Sequence, residues 1–114
     1  MRIDSYQFGE IVIDGARYDG DVIILGGKVQ SNWWRRQGHS LAVEDLTTII
    51  EAKPSVLVVG CGASGMMDVP GATQQFLKEK GIQLEAMGTY KAVEKFNELS
   101  EAGVNVAAAL HLTC

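Results

Sequence analysis

Cysteine is scarce in this chain. There are two, Cys61 and Cys114, in 114 residues. They form no CxxC pair and no disulfide framework, so reduced thiols in a cytoplasmic setting are the expectation. Two histidines, His39 and His111, without spaced carboxylates or thiols, do not make up a metal set. No apolar run approaches the ~18 residues of a membrane helix, and the opening Met1-Arg2-Ile3-Asp4-Ser5-Tyr6 lacks the apolar core of a signal peptide. Basic residues are outnumbered by acidic ones, with a net charge of −4, which argues against bulk binding to nucleic acid. Prolines are only two, Pro54 and Pro70, and each marks an element boundary.

What is abundant is apolar residue and glycine, 46% of the chain and 13 residues respectively. At this length the chain reads as one domain spanning residues 1–114, able to bury a core without staples. The organising stretch is Val56-Leu57-Val58-Val59 followed by Gly60-Cys61-Gly62-Ala63-Ser64-Gly65. An unbroken run of four apolar residues, three of them β-branched, reads as a strand buried on both faces, and ligands collect at the carboxyl ends of such strands.

Before it, Glu10–Ile13, Ala16–Tyr18, Asp21–Leu25 and Lys28–Ser31 read as strands separated by Asp14-Gly15, Asp19-Gly20 and Gly26-Gly27. The expectation is one antiparallel meander. Asn32 to Ser40 reads as a loop. A helix is expected over 43–52, a second over 71–80 and a third over 90–102. Ile82, Leu84 and Ala86 alternate as a strand between the last two, and a long final strand is expected over 104–113. The back half is therefore β-α-β-α-β with right-handed crossovers.

The candidate site residues fall in two stretches. Gly60, Gly62 and Gly65 have dinucleotide-turn spacing, but Met66 to Val69 intervene before the helix, so a tight turn or an anion-binding loop is the better reading. Ser64 lies in the same loop. Cys61 there could be a nucleophile, yet no general base is fixed beside it, and a small buried hydrophobe is the stronger reading. Trp33, Trp34, Arg35, Arg36 and His39 concentrate stacking and anion-binding groups on one loop. Because that loop feeds the helix leading into the central strand, both stretches are expected at one sheet edge, with the arginines facing the glycine loop across a shared cleft. His111 reads as a core-edge residue satisfied by a hydrogen bond.

Several pieces together, Asn32-Trp33-Trp34-Arg35, Gly60-x-Gly62-Ala63-Ser64-Gly65 and Ala107-Ala108-Ala109-Leu110-His111-Leu112-Thr113-Cys114, resemble the Mth-type domain. That small domain is shared by the adipogenesis-associated Mth-domain protein and the mitochondrial complex I assembly factor three. The resemblance covers nearly the whole chain. It implies a three-layer α/β domain with a mixed central sheet, Rossmann-related but of distinct topology, carrying an added β-hairpin layer. It carries over no catalytic residues. Cys61 stands where relatives often have a small hydroxyl residue, and Ala42 where a serine cap is usual. The function expected is a binding or assembly module for an anionic ligand or a protein partner, without a cofactor. The rival is a small enzyme or sensor acting on an anionic metabolite in the same cleft.

Overall fold

In the computed structural model, which describes residues 1–114, the eight strands divide between two sheets. The first is antiparallel, in the order β1 (Ile3–Gln7), β2 (Glu10–Ile13), β3 (Ala16–Tyr18). The second is mixed. It contains β4 (Val22–Leu25), β5 (Lys28–Gln30), β6 (Val56–Cys61), β7 (Gln83–Met87) and β8 (Val106–His111), in the order β5-β4-β8-β6-β7. β6 runs parallel to both β7 and β8, whereas β4 is antiparallel to β8. All of β6 is buried, as a strand without a polar residue and covered on both faces should be.

Three layers result. On one face of the mixed sheet, α1 (Thr47–Ala52), α2 (Gly71–Glu79) and the Trp33–Leu41 segment enclose Leu57, Val59, Ala107 and Ala109 with Leu46, Ile49 and Leu77. On the other face, α3 (Thr89–Glu101) and the small sheet enclose Val58, Ala108 and Leu110 with Phe96, Ile3, Ile11 and Ile13. The small residues of β8 serve this arrangement. Ala107, Ala108 and Ala109 let both layers approach the middle of the sheet closely.

The architecture agrees with the expected α/β class and mixed sheet, with four corrections. The single meander is two hairpins in separate sheets. Val22, Ile23 and Ile24 are buried on alternating faces, so β4 needs cover on both sides and sits beside β8, while β2 turns only Ile11 and Ile13 inward. β1 has no apolar alternation to announce it. A bulge at Asp4 breaks the register between Ile3 and Ser5, and the strand is held instead by pairing with β2. The final strand is shorter than expected. Asn105 O accepts from Ser55 N, and Leu112 N donates to the Asp21 carboxylate, so the ends of 104–113 bond outside the ladder. The first helix opens as a 3-10 turn, Val43–Leu46, before α1. Ala42 offers no side-chain cap, and Asp45 reaches back instead to accept from Ala42 N at 2.9 Å.

Candidate functional site

At the carboxyl end of the parallel strands, the Trp–Arg stretch and the glycine loop come together. Ser40 bridges to Asp68, Leu41 N donates to Asp68 O, and Asp68 N donates to His39 O. The two stretches thus share one end of the sheet. They do not form one cleft. Ala63, Ser64 and Gly65 line a hollow with Gly88, Tyr90 and Lys91. Trp33 and Trp34 line a different hollow beside Glu44 and Thr48.

The reason lies in Arg35. Its guanidinium is buried, with Nη1 donating to Asp21 Oδ2 at 2.8 Å and Nη2 donating to Gly38 O at 3.0 Å. It also lies 4.7 Å from the centre of the Trp33 ring. His111 Nδ1 lies 2.8 Å from Asp21 Oδ2 and 3.0 Å from Arg35 Nη2. A guanidinium can only donate and a carboxylate can only accept. Nδ1 can therefore serve only one of them, and protonated it donates to Asp21 Oδ2, the shorter contact. The Asp21 carboxylate is the hub: Oδ1 accepts from Leu112 N at 2.8 Å. Burial alone would raise its pKa. Hydrogen bonds from His111, Leu112 N–H and Arg35 outweigh that and hold it below its ordinary 3.8.

The remaining members of the Trp–Arg stretch divide between inside and outside. Trp33 is buried, its indole N–H donating to Asp45 O at 2.9 Å. Trp34 is 77% exposed. Arg36 is exposed, with its backbone N–H bonded to Asp45 Oδ1 and its guanidinium 3.9 Å from Glu44. The His39 side chain is exposed, and its ring centre is 5.9 Å from that of His111. No three His, Cys, Asp or Glu side chains converge as metal ligands would.

The glycine loop is largely closed by its own bonds. Gly62 N donates to Thr89 Oγ1, Ala63 N to Thr113 O, Gly65 N to Gly62 O and Met67 N to Cys61 O. The row of free N–H groups that an anion-binding loop would present is therefore reduced to Ser64 and Met66. Gly60 serves close packing instead: a Cβ there would lie 2.8 Å from Thr89 Oγ1. Five loop residues separate Gly65 from α2, so no helix start stands against the turn as a dinucleotide site needs.

Cys61 is buried within the core on the face of α1 and α2. Burial, with the charge of Asp68 second, pushes its thiol pKa up against a weaker opposing hydrogen bond from the Met87 backbone. A raised thiol is a poor nucleophile. Iodoacetamide at neutral pH is expected to alkylate exposed Cys114 and leave Cys61 unmodified until denaturant is added. Intact-protein mass spectrometry gives the count, and a second adduct on the native protein would contradict this placement.

Asp21 was legible only as a strand residue, since its partners lie 14 and 90 residues away. A carboxylate placed directly before an apolar run is the one local hint. Exposed Phe8, Met66 and Tyr90 also gather at this end. Tyr6, whose hydroxyl donates to Leu112 O, packs edge-on to Tyr90 at 4.6 Å, and Gly9 N donates to the same carbonyl. Burial, followed by neighbouring Tyr90, pushes the Tyr6 pKa up to about 12, so its phenol remains a donor at neutral pH.

Comparison with known proteins adds the family. Residues 3–111 match the model of a protein of unknown function (DUF498/DUF598). The human NADH dehydrogenase [ubiquinone] 1 alpha subcomplex assembly factor 3 is 30% identical over 113 residues, covering 96% of this chain. The chain spans 60% of the length of that protein. Among solved structures, an outer membrane protein from Bartonella henselae superposes with a TM-score of 0.83 at 26% identity, covering 98% of this chain and 94% of the other. A conserved hypothetical protein from Pyrococcus horikoshii OT3 gives 0.81 at 25%, covering all of both chains. A Mth938-like domain from Bordetella pertussis shares the fold at 22% identity, with a TM-score of 0.72, covering 97% and 85%. With the family model matched over nearly its whole length, the chain belongs to the DUF498/DUF598 family, proteins of unknown function built on the Mth938-like fold.

Proposed function

We propose that residues 1–114 act as one protein-binding domain, an assembly module whose docking surface is the carboxyl end of the mixed sheet. The observation that carries this is the gathering there of Phe8, Met66 and Tyr90, which are 60%, 60% and 52% exposed. Large apolar side chains exposed at one end of a domain mark interaction sites more often than singly scattered ones do. Phe, Tyr and Met are also enriched at interfaces. The related human protein is named as an assembly factor, which supports a protein partner. An anionic ligand is less well supported: Arg35 is committed to Asp21, Arg36 stands beside Glu44, and most N–H groups of the glycine loop are bonded. No helix is long and apolar enough to cross a membrane. We take the cytoplasm as its compartment on the two free cysteines.

The test is a Phe8→Ser, Met66→Ser double variant. Both side chains are exposed, so its unfolding midpoint is expected to stay near that of the parent. Quantitative affinity capture should show at least one protein retained by the parent and lost by the variant, yet kept by an Arg17→Ala control on β3. Identical retention by parent and variant would overturn the proposal.

A further inference from the structure

We propose that the groove between β5 and α1 takes an extended, lysine- or arginine-bearing segment of a partner protein as an added strand. This surface shares no lining residue with the hollow beside Tyr90, lies at the β5 edge of the mixed sheet, opposite β7, and does not depend on the reading above.

β5 is an outer strand, paired only with β4. The hairpin between them closes through Gly26 and Gly27, with φ of +58° and +76°, as a two-residue primed turn requires. In such a hairpin the residues flanking the turn exchange ladder bonds, so Leu25–Lys28 and Ile23–Gln30 are bonded pairs. Val29, between them, turns its N–H and C=O outward. An open edge is a template for another strand; β5 is short, three residues beginning with Lys28, so the ladder bonds it offers are those of Val29 alone.

The ground beside that edge is apolar. Ile23 and Leu25 form its floor, with Thr48 of α1 as the facing wall and Lys28 and Gln30 along the strand. A second hollow shares Ile23, Gln30 and Thr48 with the first, so the two make one groove, and it ends at Trp34. Charge selects the occupant. The Trp34 end is lined by Glu44 and Asp45 and by no basic residue. The Asp45 carboxylate already accepts from Ala42 N and Arg36 N. Glu44 does not: its one ion-pair neighbour is Arg36 at 3.9 Å, and both side chains are exposed. A cation laid over the Trp34 ring next to Glu44 would gain from the ring face and the carboxylate together. Side chains two apart on an added strand lie on one face, roughly 7 Å apart. Side chains on that face run along the groove past Gln30, which lines both hollows, toward the Trp34 end.

The experiment uses a synthetic peptide of about ten residues alternating valine and lysine, a counterpart alternating valine and glutamate, and a counterpart with prolines that cannot complete a ladder. Each is titrated into ¹⁵N-labelled protein. The valine–lysine peptide is expected to shift the Val29 amide and the Trp34 indole, with affinity falling as salt rises. The other two should bind at least about fivefold more weakly, and Trp34→Ala or Glu44→Gln should each weaken binding roughly two- to fivefold. Both variants change exposed side chains, and unchanged unfolding midpoints will confirm that they fold. Equal binding of the acidic peptide, shifts confined to Phe8, Met66 and Tyr90, self-association through β5 in sedimentation, or no shift at millimolar peptide would each overturn the proposal.

Discussion

Asp21→Ala will lower the unfolding free energy by about 3 kcal/mol, because removing one partner of a buried ion pair leaves the other charge uncompensated. The Arg35 side chain is 4% exposed and that of Asp21 16%, so the orphaned guanidinium has little water to turn to. Partial access at Asp21 holds the figure at the lower end of the expected range. Leu112 N–H loses its acceptor in the same stroke. Chemical denaturation of parent and variant measures the difference. A loss under about 1 kcal/mol would show that the pair does not organise the Trp–Arg stretch. The effect also has a pH signature. The folded pKa of Asp21 is depressed, so its contribution is complete above the ordinary carboxylate value of 3.8 and is lost as pH falls through the lower folded value. Asp21→Asn should therefore flatten part of the acid limb of the stability curve and leave the neutral-to-alkaline part parallel to that of the parent.

Gly62→Ala comes next in size, at about 3 kcal/mol, and should exceed Gly65→Ala several-fold. Gly62 has φ +100°, where an L side chain is strained by roughly 1–3 kcal/mol. Its Cβ would also lie 2.7 Å from the carbonyl oxygens of both Thr113 and Cys114. Those are backbone atoms, one of them accepting from Ala63 N, so relief means moving the segment after β8. Gly65 has φ +67° with open space around it, so only the backbone term applies, about 1 kcal/mol. Thermal unfolding of the two variants gives the order. Equal midpoints would mean that the chain after β8 does not pack against Gly62.

The fold was legible where one residue run decides one element. Val56 to Val59 announced a doubly buried strand, and Asp14-Gly15, with φ of +47° and +80°, announced the hairpin joining β2 and β3. It was not legible where distant pairing decides. β1 is specified by β2 across a bulge, and the division of the meander follows from which faces of β4 must be covered. The candidate residues behaved likewise. Connectivity, through the helix that feeds the central strand, placed the Trp–Arg stretch and the glycine loop at one end of the sheet, where they meet. It could not show that adjacent residues part company, Trp33 and Arg35 turning inward while Trp34 and Arg36 turn out. That choice rests on Asp21, remote in the chain, which recruits Arg35 and so removes the cation from the expected cleft.

The central claim, that the carboxyl end of the mixed sheet docks a protein, is tested most directly by photo-crosslinking in cells. A benzophenone amino acid is placed at Tyr90 or Met66, and at Arg17 on β3 as the control. The account predicts a discrete protein adduct of the same mass from positions 90 and 66 and none from position 17. No adduct at either position, or equal adducts at all three, would contradict it.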